Sequence, residues 1–381
     1  MNKFRVAVRA FPPFESAIGK QWDSFESRAR TGLELEAVPF DLHPLHAALF
    51  GPSAQAWDVA FVVTDWIAEA AESNIMLDLS QSLATDPPDG YPDAWTPSLL
   101  RFQQVEGRVL GLPYHDGPEC LIYRKDLFDA AGLTPPRTWE EFHSIARALT
   151  IPSANRYGAI FAAYPDGHNT VYDFCLQLWS RGGELSQLDS AAAREALRFY
   201  RQILRDRAAV HPNCAEFDSV KTGYAFARGE VALMVNWFGF AAMCETSKES
   251  SVRGKVAVAG VPGGVSLNVY WTLAIPSNCA RQDIAWQFLR HCASPEMDKL
   301  LTLDGAIGCR KSTWTDADVN RAIPFYREMQ GLHAGARELP RRADWSRIAS
   351  VIDDLVLQAI NGDHSETELL AEAQERIRNT P

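Results

Sequence analysis

The chain has 381 residues, 46% hydrophobic and 22% charged, with a formal net charge of -11. Single cores usually stop growing at about 250–300 residues, so a globular chain of this length predicts two domains. The acidity argues against a nucleic-acid partner, which requires clustered Lys and Arg to neutralise phosphates. No apolar run approaches the ~18–20 residues that cross a bilayer. The tight basic pair Arg341-Arg342, after Pro340, reads as a solvated loop.

Along the N-terminal region, Phe4, Val6, Val8 and Ala10 alternate with Arg5, Ala7 and Arg9, which predicts a first β-strand. Arg5 and Arg9 also interrupt the apolar core of about 7–15 residues that a secretory leader needs. The expectation is either a leader missing from this sequence or a cytoplasmic protein. Residues 33–40 predict a second strand and residues 57–63 a third, largely buried one. Buried strands separated by helical stretches imply βαβ units and a mainly parallel sheet. Pro87-Pro88, Asp89-Gly90 and Pro92 mark a surface loop.

Residues 112–142 carry a break at Pro113, a turn at Asp116-Gly117-Pro118, an apolar strand and a capped helix. That order describes a chain leaving one compact unit and entering another. In the helix start Thr138-Trp139-Glu140-Glu141, the Thr138 hydroxyl and the Glu141 carboxylate each satisfy a free amide. Ala196, Leu197, Tyr200 and Ile203 recur at helical spacing, and Val231 to Met234 precede Asn236 and Trp237. The Pro/Gly cluster at 259–264 predicts a second crossing. A strand follows at 270–276 and a helix at 283–292. The tail predicts a helix with a stripe of Ile348, Val351, Ile352, Leu355 and Ala359, ended by a left-handed Gly362. Ser365 to Glu368 form a second capping box. The expected lobes are 1–113 with 263–310, and 117–260 with 311–381. Their crossings lie near 113–117, 259–264 and 308–312.

Chemistry-bearing signatures are sparse. The seven cysteines are scattered with no C-x-x-C pair, which argues against zinc or a disulfide framework and favours a reducing compartment. Cys292 reads as a small core residue. Nucleotide-binding, zinc-protease and hydrolase-elbow motifs are missing, so no cofactor or metal is expected. The carboxylate pairs Glu140-Glu141 and Asp353-Asp354 read as solvated or capping helix residues.

Aromatic placement carries more information. Among eleven tryptophans, Trp66 follows Asp65 after the third strand, Trp237 follows Asn236, and Tyr270-Trp271 lies past the second crossing. Ligands of open α/β sheets sit outside the carboxyl ends of strands and at domain interfaces. A pyranose presents apolar C–H faces for flat rings and a hydroxyl rim for Asp, Asn, His and Arg. Trp139 and Trp286 lie in amphipathic helices and read as core. Trp66, Trp237 and Trp271 divide between packing and ligand stacking. His115 beside Asp116, and His168 in the turn after Tyr164, divide between a hydroxyl-orienting role and a turn role. Arg9 and Arg310 are suited to pair a ligand carboxylate bidentately, or to lie in surface ion pairs.

Several segments resemble, in order and spacing, the family 1 extracellular solute-binding proteins of ABC importers, of the maltose- and multiple-sugar-binding type. They are Asp58-Val59, Leu77-Asp78-Leu79, Tyr123 to Phe128 with Ala131-Gly132-Leu133, and Pro136 to Trp139. Phe226 to Met234, Ala274 to Ser277, Ala285 to Leu289 and Gly305-Ala306-Ile307 complete the series. The resemblance implies an α/β fold of type II two-lobed architecture with hinge crossings and a helical C-terminal segment. It also implies a non-enzymatic receptor that takes a sugar or sugar derivative in an interlobe cleft by hinge closure. The expected location is periplasmic or extracytoplasmic, and the receptor is a monomer that delivers to a membrane permease. Its contacts would come from Arg9 to Phe11, Asp65-Trp66, Tyr114-His115-Asp116, Trp237, the loop with Tyr270-Trp271, and Arg310. Tyr164, His168 and Asn236 complete the candidate set. Three features depart from the family pattern, the first being the missing export signal, which leaves the expected location open. Cys309 replaces a proline, and Asn268 to Trp271 fill a stretch that is usually glycine-rich, which implies a bulkier cleft floor and a small ligand. Alternatives are a carbohydrate-active hydrolase or lyase using Asp65 or Asp116, and a cytoplasmic sensor on the same fold.

Overall fold

The computed structural model describes residues 2–51 and 55–379. In chain order its strands are β1 (Lys3–Arg9), β2 (Glu34–Phe40), β3 (Val59–Val63), β4 (Gln104–Val105), β5 (Arg108–Val109) and β6 (Leu112–His115). Then come β7 (Glu119–Arg124), β8 (Tyr157–Ala159), β9 (Val231–Trp237), β10 (Val256–Ala259), β11 (Ser266–Leu267), β12 (Trp271–Ala274) and β13 (Ala336–Arg337). The chain divides into two compact units. Unit 1 comprises Met1–Gly117, Val269–Met329 and Glu338–Trp345, and unit 2 comprises Pro118–Asn268, Gln330–Arg337 and Ser346–Pro381.

These junctions differ from the sequence-based boundaries: residues 263–268 belong to unit 2, and residues 311–329 and 338–345 belong to unit 1. The Pro/Gly run at 259–264 is a turn inside unit 2, where the Gly263 amide (φ +87°) donates to the Arg137 carbonyl at 2.9 Å. Residues 308–312 stay inside unit 1 because the buried Asp298 carboxylate accepts from the amides of Cys309 at 2.8 Å and Arg310 at 3.2 Å.

Unit 1 is built on a five-stranded sheet of order β2-β1-β3-β12-β6. β1 pairs in parallel with β2 and β3, whereas β12 runs antiparallel to β3 and β6. The expected parallel sheet therefore holds for the first three strands, and an antiparallel pair completes it. Phe4, Val6, Ala7 and Val8 are all buried, because β1 is covered on both faces. Phe4 stacks on Trp22 at 4.5 Å and meets Phe288 edge-on at 5.5 Å. Pro12 and Pro13 start the helix Pro12–Ala29, where a missing amide donor costs nothing.

Unit 2 carries a four-stranded sheet of order β10-β7-β9-β8. β7 is antiparallel to β10 and β9, and β8 is parallel to β9. The Thr138 hydroxyl accepts from the Glu141 amide at 3.1 Å, and the Glu141 carboxylate accepts from the Arg137 amide at 2.7 Å. The first capping box forms as expected, with its carboxylate one residue further out. The predicted helical stripe lies on Ala191–Arg205, burying Ala196, Leu197, Tyr200 and Ile203. Trp139 and Trp286 are core residues in their respective units, and all seven cysteines are buried and free.

Three tail expectations are corrected. Gly362 does not adopt a left-handed conformation. Instead the Arg205 guanidinium reaches across from another helix and donates to the carbonyls of Ile360 at 2.8 Å and Ala359 at 3.3 Å, satisfying the end of the helix Trp345–Asn361. Ser365 occupies the N-cap of Glu366–Arg378 without a side-chain cap bond; Glu366 pairs with Arg201 at 2.6 Å. Asp353 is buried rather than solvated, and the Thr170 hydroxyl donates to its carboxylate. Among the described residues, no helix is long and apolar enough to cross a membrane.

Candidate functional site

In unit 1, strand direction gathers several candidates at one end of the sheet. β1 and β3 are parallel, so Arg9 and the turn Thr64–Trp66 leave the same edge. β12 is antiparallel to β3, so its first residue, Trp271, pairs with Val63, the last of β3; His115, the last of β6, pairs with Trp271. Four separate sequence positions thus converge on one edge because of sheet topology.

Their rings form an aromatic group. Trp271, partly exposed, lies edge-on to Trp66 at 6.0 Å and to Phe14 at 6.4 Å. Phe14 meets the His115 ring at 4.8 Å and Phe11 at 5.1 Å. Trp66 is itself 2% exposed, held edge-on by His46 at 5.0 Å and Phe50 at 6.1 Å. His46, Phe50 and Phe14 are absent from the candidate set, and their signal was weak. They sit at unremarkable positions in helices, and only the tertiary fold brings them to the strand ends.

The polar candidates of unit 1 differ in accessibility. The His115 Nδ1 accepts from the Ile307 amide at 2.9 Å. An amide only donates, so the imidazole proton resides on Nε2. Burial pulls the His115 pKa down to about 4 against the opposing charge of Asp116, so the ring is neutral near pH 7. Asp65, partly buried, lies in the turn before Trp66. Asp116 is fully buried, and its amide donates to the Ile307 carbonyl at 2.9 Å. Arg9 is engaged by the Phe40 carbonyl and the Asp41 carboxylate, both at 3.3 Å.

Tyr114, Tyr270 and Arg310 are almost wholly enclosed. The Tyr114 hydroxyl donates to Gln21 Oε1 at 2.8 Å, and burial raises its pKa well above the usual phenol range. Tyr270 stacks on Phe102 at 5.9 Å and donates its hydroxyl to the Leu99 carbonyl. Arg310, 3% exposed, donates to the carbonyls of Ala293 at 2.8 Å and Asp89 at 2.9 Å and lies 4.5 Å over the Trp95 ring. It secures the Pro/Gly surface loop. Burial lowers its pKa, with Asp298 and Asp89 opposing.

In unit 2, β9 ends on Asn236 and Trp237, with Trp237 partly exposed. Asn236 faces inward: its amide donates to Thr222 Oγ1 at 2.9 Å and to the Ser219 carbonyl at 3.1 Å, while its Oδ1 accepts from the Trp237 amide at 2.7 Å. That ring of bonds fixes the backbone that presents Trp237. The indole meets Tyr172 edge-on at 5.6 Å. His168 occupies the N-cap position of the helix Asn169–Trp179 without a side-chain cap bond; its Nδ1 lies 2.8 Å from the Asp166 carbonyl, which only accepts, so Nδ1 carries a proton. Tyr164 is 46% exposed, with Lys221 Nζ 5.6 Å from its ring centroid. Tyr172 and the buried Glu119 on β7 were missed by sequence reading, since neither lies in a recognisable pattern. Among the described residues, no cluster of three or more His, Cys, Asp or Glu is arranged to hold a metal ion.

The chain is similar over residues 47–299 to the family model described as bacterial extracellular solute-binding protein. A putative binding protein of Brucella abortus (strain 2308) is 23% identical over 68% of this chain, and the match spans 63% of that relative's length. Among solved structures, maltose-bound T. maritima MalE3 superposes with a TM-score of 0.89 at 23% identity, covering 99% of each chain. A solute-binding protein from Agrobacterium radiobacter K84 in complex with ribitol gives a TM-score of 0.88 at 25% identity, covering 98% of this chain and 97% of that one. With two strand-end aromatic groups on a fold shared along its whole length, and a family match over most of its residues, the chain belongs to the bacterial extracellular solute-binding proteins.

Proposed function

We propose that the protein is the solute-binding receptor of an ABC importer, operating outside the cytoplasm as a monomer, and that its ligand is a sugar or polyol. The reading rests chiefly on Trp271, a partly exposed indole at the strand ends among Trp66, Phe14 and His115. Flat rings take the C–H faces of a polyhydroxy compound, and neutral His115 offers an Nε2–H donor to its hydroxyls. The bound maltose and ribitol of the two structural relatives support this solute class.

Contacts in this proposal come from Phe11, Asp65, His115 and Trp271 in unit 1, with Trp66 backing Trp271 edge-on at 6.0 Å, and from Tyr164, His168 and Trp237 in unit 2. Arg9, Tyr114, Asp116, Asn236, Tyr270 and Arg310 hold these groups in place through the bonds described above. Both arginines lie on protein acceptors, which favours an uncharged solute over an acidic one. A ligand that touches both units stabilises the state in which both contacts are made, and the permease reads that state.

Titration calorimetry against maltose, ribitol and mannitol, paired with an assay for cleaved or rearranged product, tests the reading. Saturable binding without turnover is expected. Turnover would instead identify a carbohydrate-active enzyme. Trp237→Ala should weaken binding at least tenfold while the melting curve stays intact, and unchanged affinity in the folded variant would remove Trp237 from the site.

A further inference from the structure

β7 opens with a charged residue in a strand that is otherwise Cys-Leu-Ile-Tyr-Arg. Glu119 is 4% exposed, and its Oε2 has no hydrogen-bond partner within the protein. Buried polar atoms are almost always partnered, so an orphaned carboxyl oxygen demands an explanation. Register supplies one: Glu119 lies directly opposite Trp237 of β9, and opposite residues of an antiparallel pair point to the same face of the sheet. Trp237 meets Tyr172, and the next residue of that helix is Asp173, 5% exposed, whose carboxylate accepts from the Tyr200 hydroxyl at 2.8 Å.

The surroundings leave Glu119 without a counter-charge. Asp173 acts on it unfavourably, and Asp166 acts likewise on Asp173. Cys120 on β7, Cys175 on the helix and Tyr200 on the next helix are buried groups that feel its charge. Arg337, which acts on Cys175, is paired with Glu184 at 2.9 Å. Arg124, at the far end of β7, is paired with Asp126 at 2.6 Å, and Glu245, on the helix packed against β7, accepts from the Gly254 amide at 3.0 Å. Among the described residues, Glu119 forms no ion pair.

We propose that Glu119 is a specificity-determining residue of the binding site, whose unpartnered carboxyl oxygen takes a hydroxyl of the polyhydroxy solute held against Trp237. This inference rests on the reading of Trp237 as a ligand contact. Burial, reinforced by Asp173, raises the Glu119 pKa well above the ordinary carboxyl range. That shift favours the protonated carboxyl, which both donates and accepts, as a hydroxyl does. Glutamine has the same double capacity; leucine has neither.

The test is titration calorimetry with maltose and ribitol at pH 6 and pH 9 on the wild type, Glu119→Gln, Glu119→Leu and Trp237→Ala, each checked by thermal melting. Wild-type affinity should fall as the pH rises, because loss of the proton removes the donor. Glu119→Gln should bind within about threefold of wild type at pH 6 and show a flatter pH profile. Glu119→Leu should bind at least tenfold more weakly at pH 6. Wild-type affinity in Glu119→Leu, with binding lost in Trp237→Ala, would overturn the proposal and leave the site intact. Wild-type affinity in both variants, or no binding of either solute by the wild type, would overturn both readings. Should Glu119→Leu fail to fold, parallel pH profiles for Glu119→Gln and wild type would overturn the proposal, and a flattened profile would support it.

Discussion

Two histidines carry opposite protonation patterns because their neighbours differ. His115 receives a backbone amide at Nδ1 and holds its proton on Nε2; His168 faces a carbonyl and holds one on Nδ1. Asp173 shows how burial writes a pH response. Its pKa is raised to about 7, first by desolvation and further by Asp166, with the Tyr200 hydroxyl opposing. The folded chain therefore keeps this proton up to about pH 7, whereas an unfolded chain loses it near pH 4. Stability falls between those values as pH rises, by on the order of a few kcal/mol, then levels off. Asp173→Asn keeps an acceptor for Tyr200 and removes the titration. Its melting temperature should drop less than that of the wild type between pH 5 and pH 8, and an equal drop would show that Asp173 carries no such load. His115 works in the other direction. Its depressed pKa costs stability as pH falls from about 6.5 toward about 4.

At the scale of elements, close approach decides as much as periodicity. β8 passes so near the helix Trp139–Leu149 that a Cβ on Gly158 would lie 1.8 Å from the Ala146 carbonyl oxygen. Thr150 bridges the same contact, accepting from the Gly158 amide at 2.8 Å and donating to the Ala146 carbonyl at 2.8 Å. Gly158→Ala must push the helix off the strand and should cost at least ~2 kcal/mol, read as a lower urea midpoint. An unchanged midpoint would mean the helix yields freely. The alternation in β1 and the Thr138 cap were legible beforehand because both depend on neighbours within a few residues. The end of the helix Trp345–Asn361 was not. Glycine at 362 suggested a local left-handed cap, whereas Arg205, more than 150 positions earlier in the chain, provides the donors.

For the whole molecule, the two compact units raise a question of coupling. If one solute is contacted by residues of both, saturating ligand must stabilise both. At 100 times the dissociation constant the gain is ~2.7 kcal/mol. Scanning calorimetry with maltose or ribitol should then move all the unfolding heat upward together. A shift confined to part of the heat would assign the ligand to a single unit.

Sequence by itself was enough for what is local or repeated in order: the first strands, the amphipathic helices, the tryptophans at strand ends and the series of segments that marks the family. Short-range sterics and side-chain pattern dictate such features. Tertiary structure alone decided which candidates are enclosed and which remain open. Tyr270 and Trp271 are adjacent aromatic residues, but Tyr270, like Arg310, is shut in by distant carbonyls at Leu99, Ala293 and Asp89, whereas Trp271 stays partly exposed. The same holds for Glu119, whose orphaned oxygen opposite Trp237 exists only because β7 and β9 pair in one register.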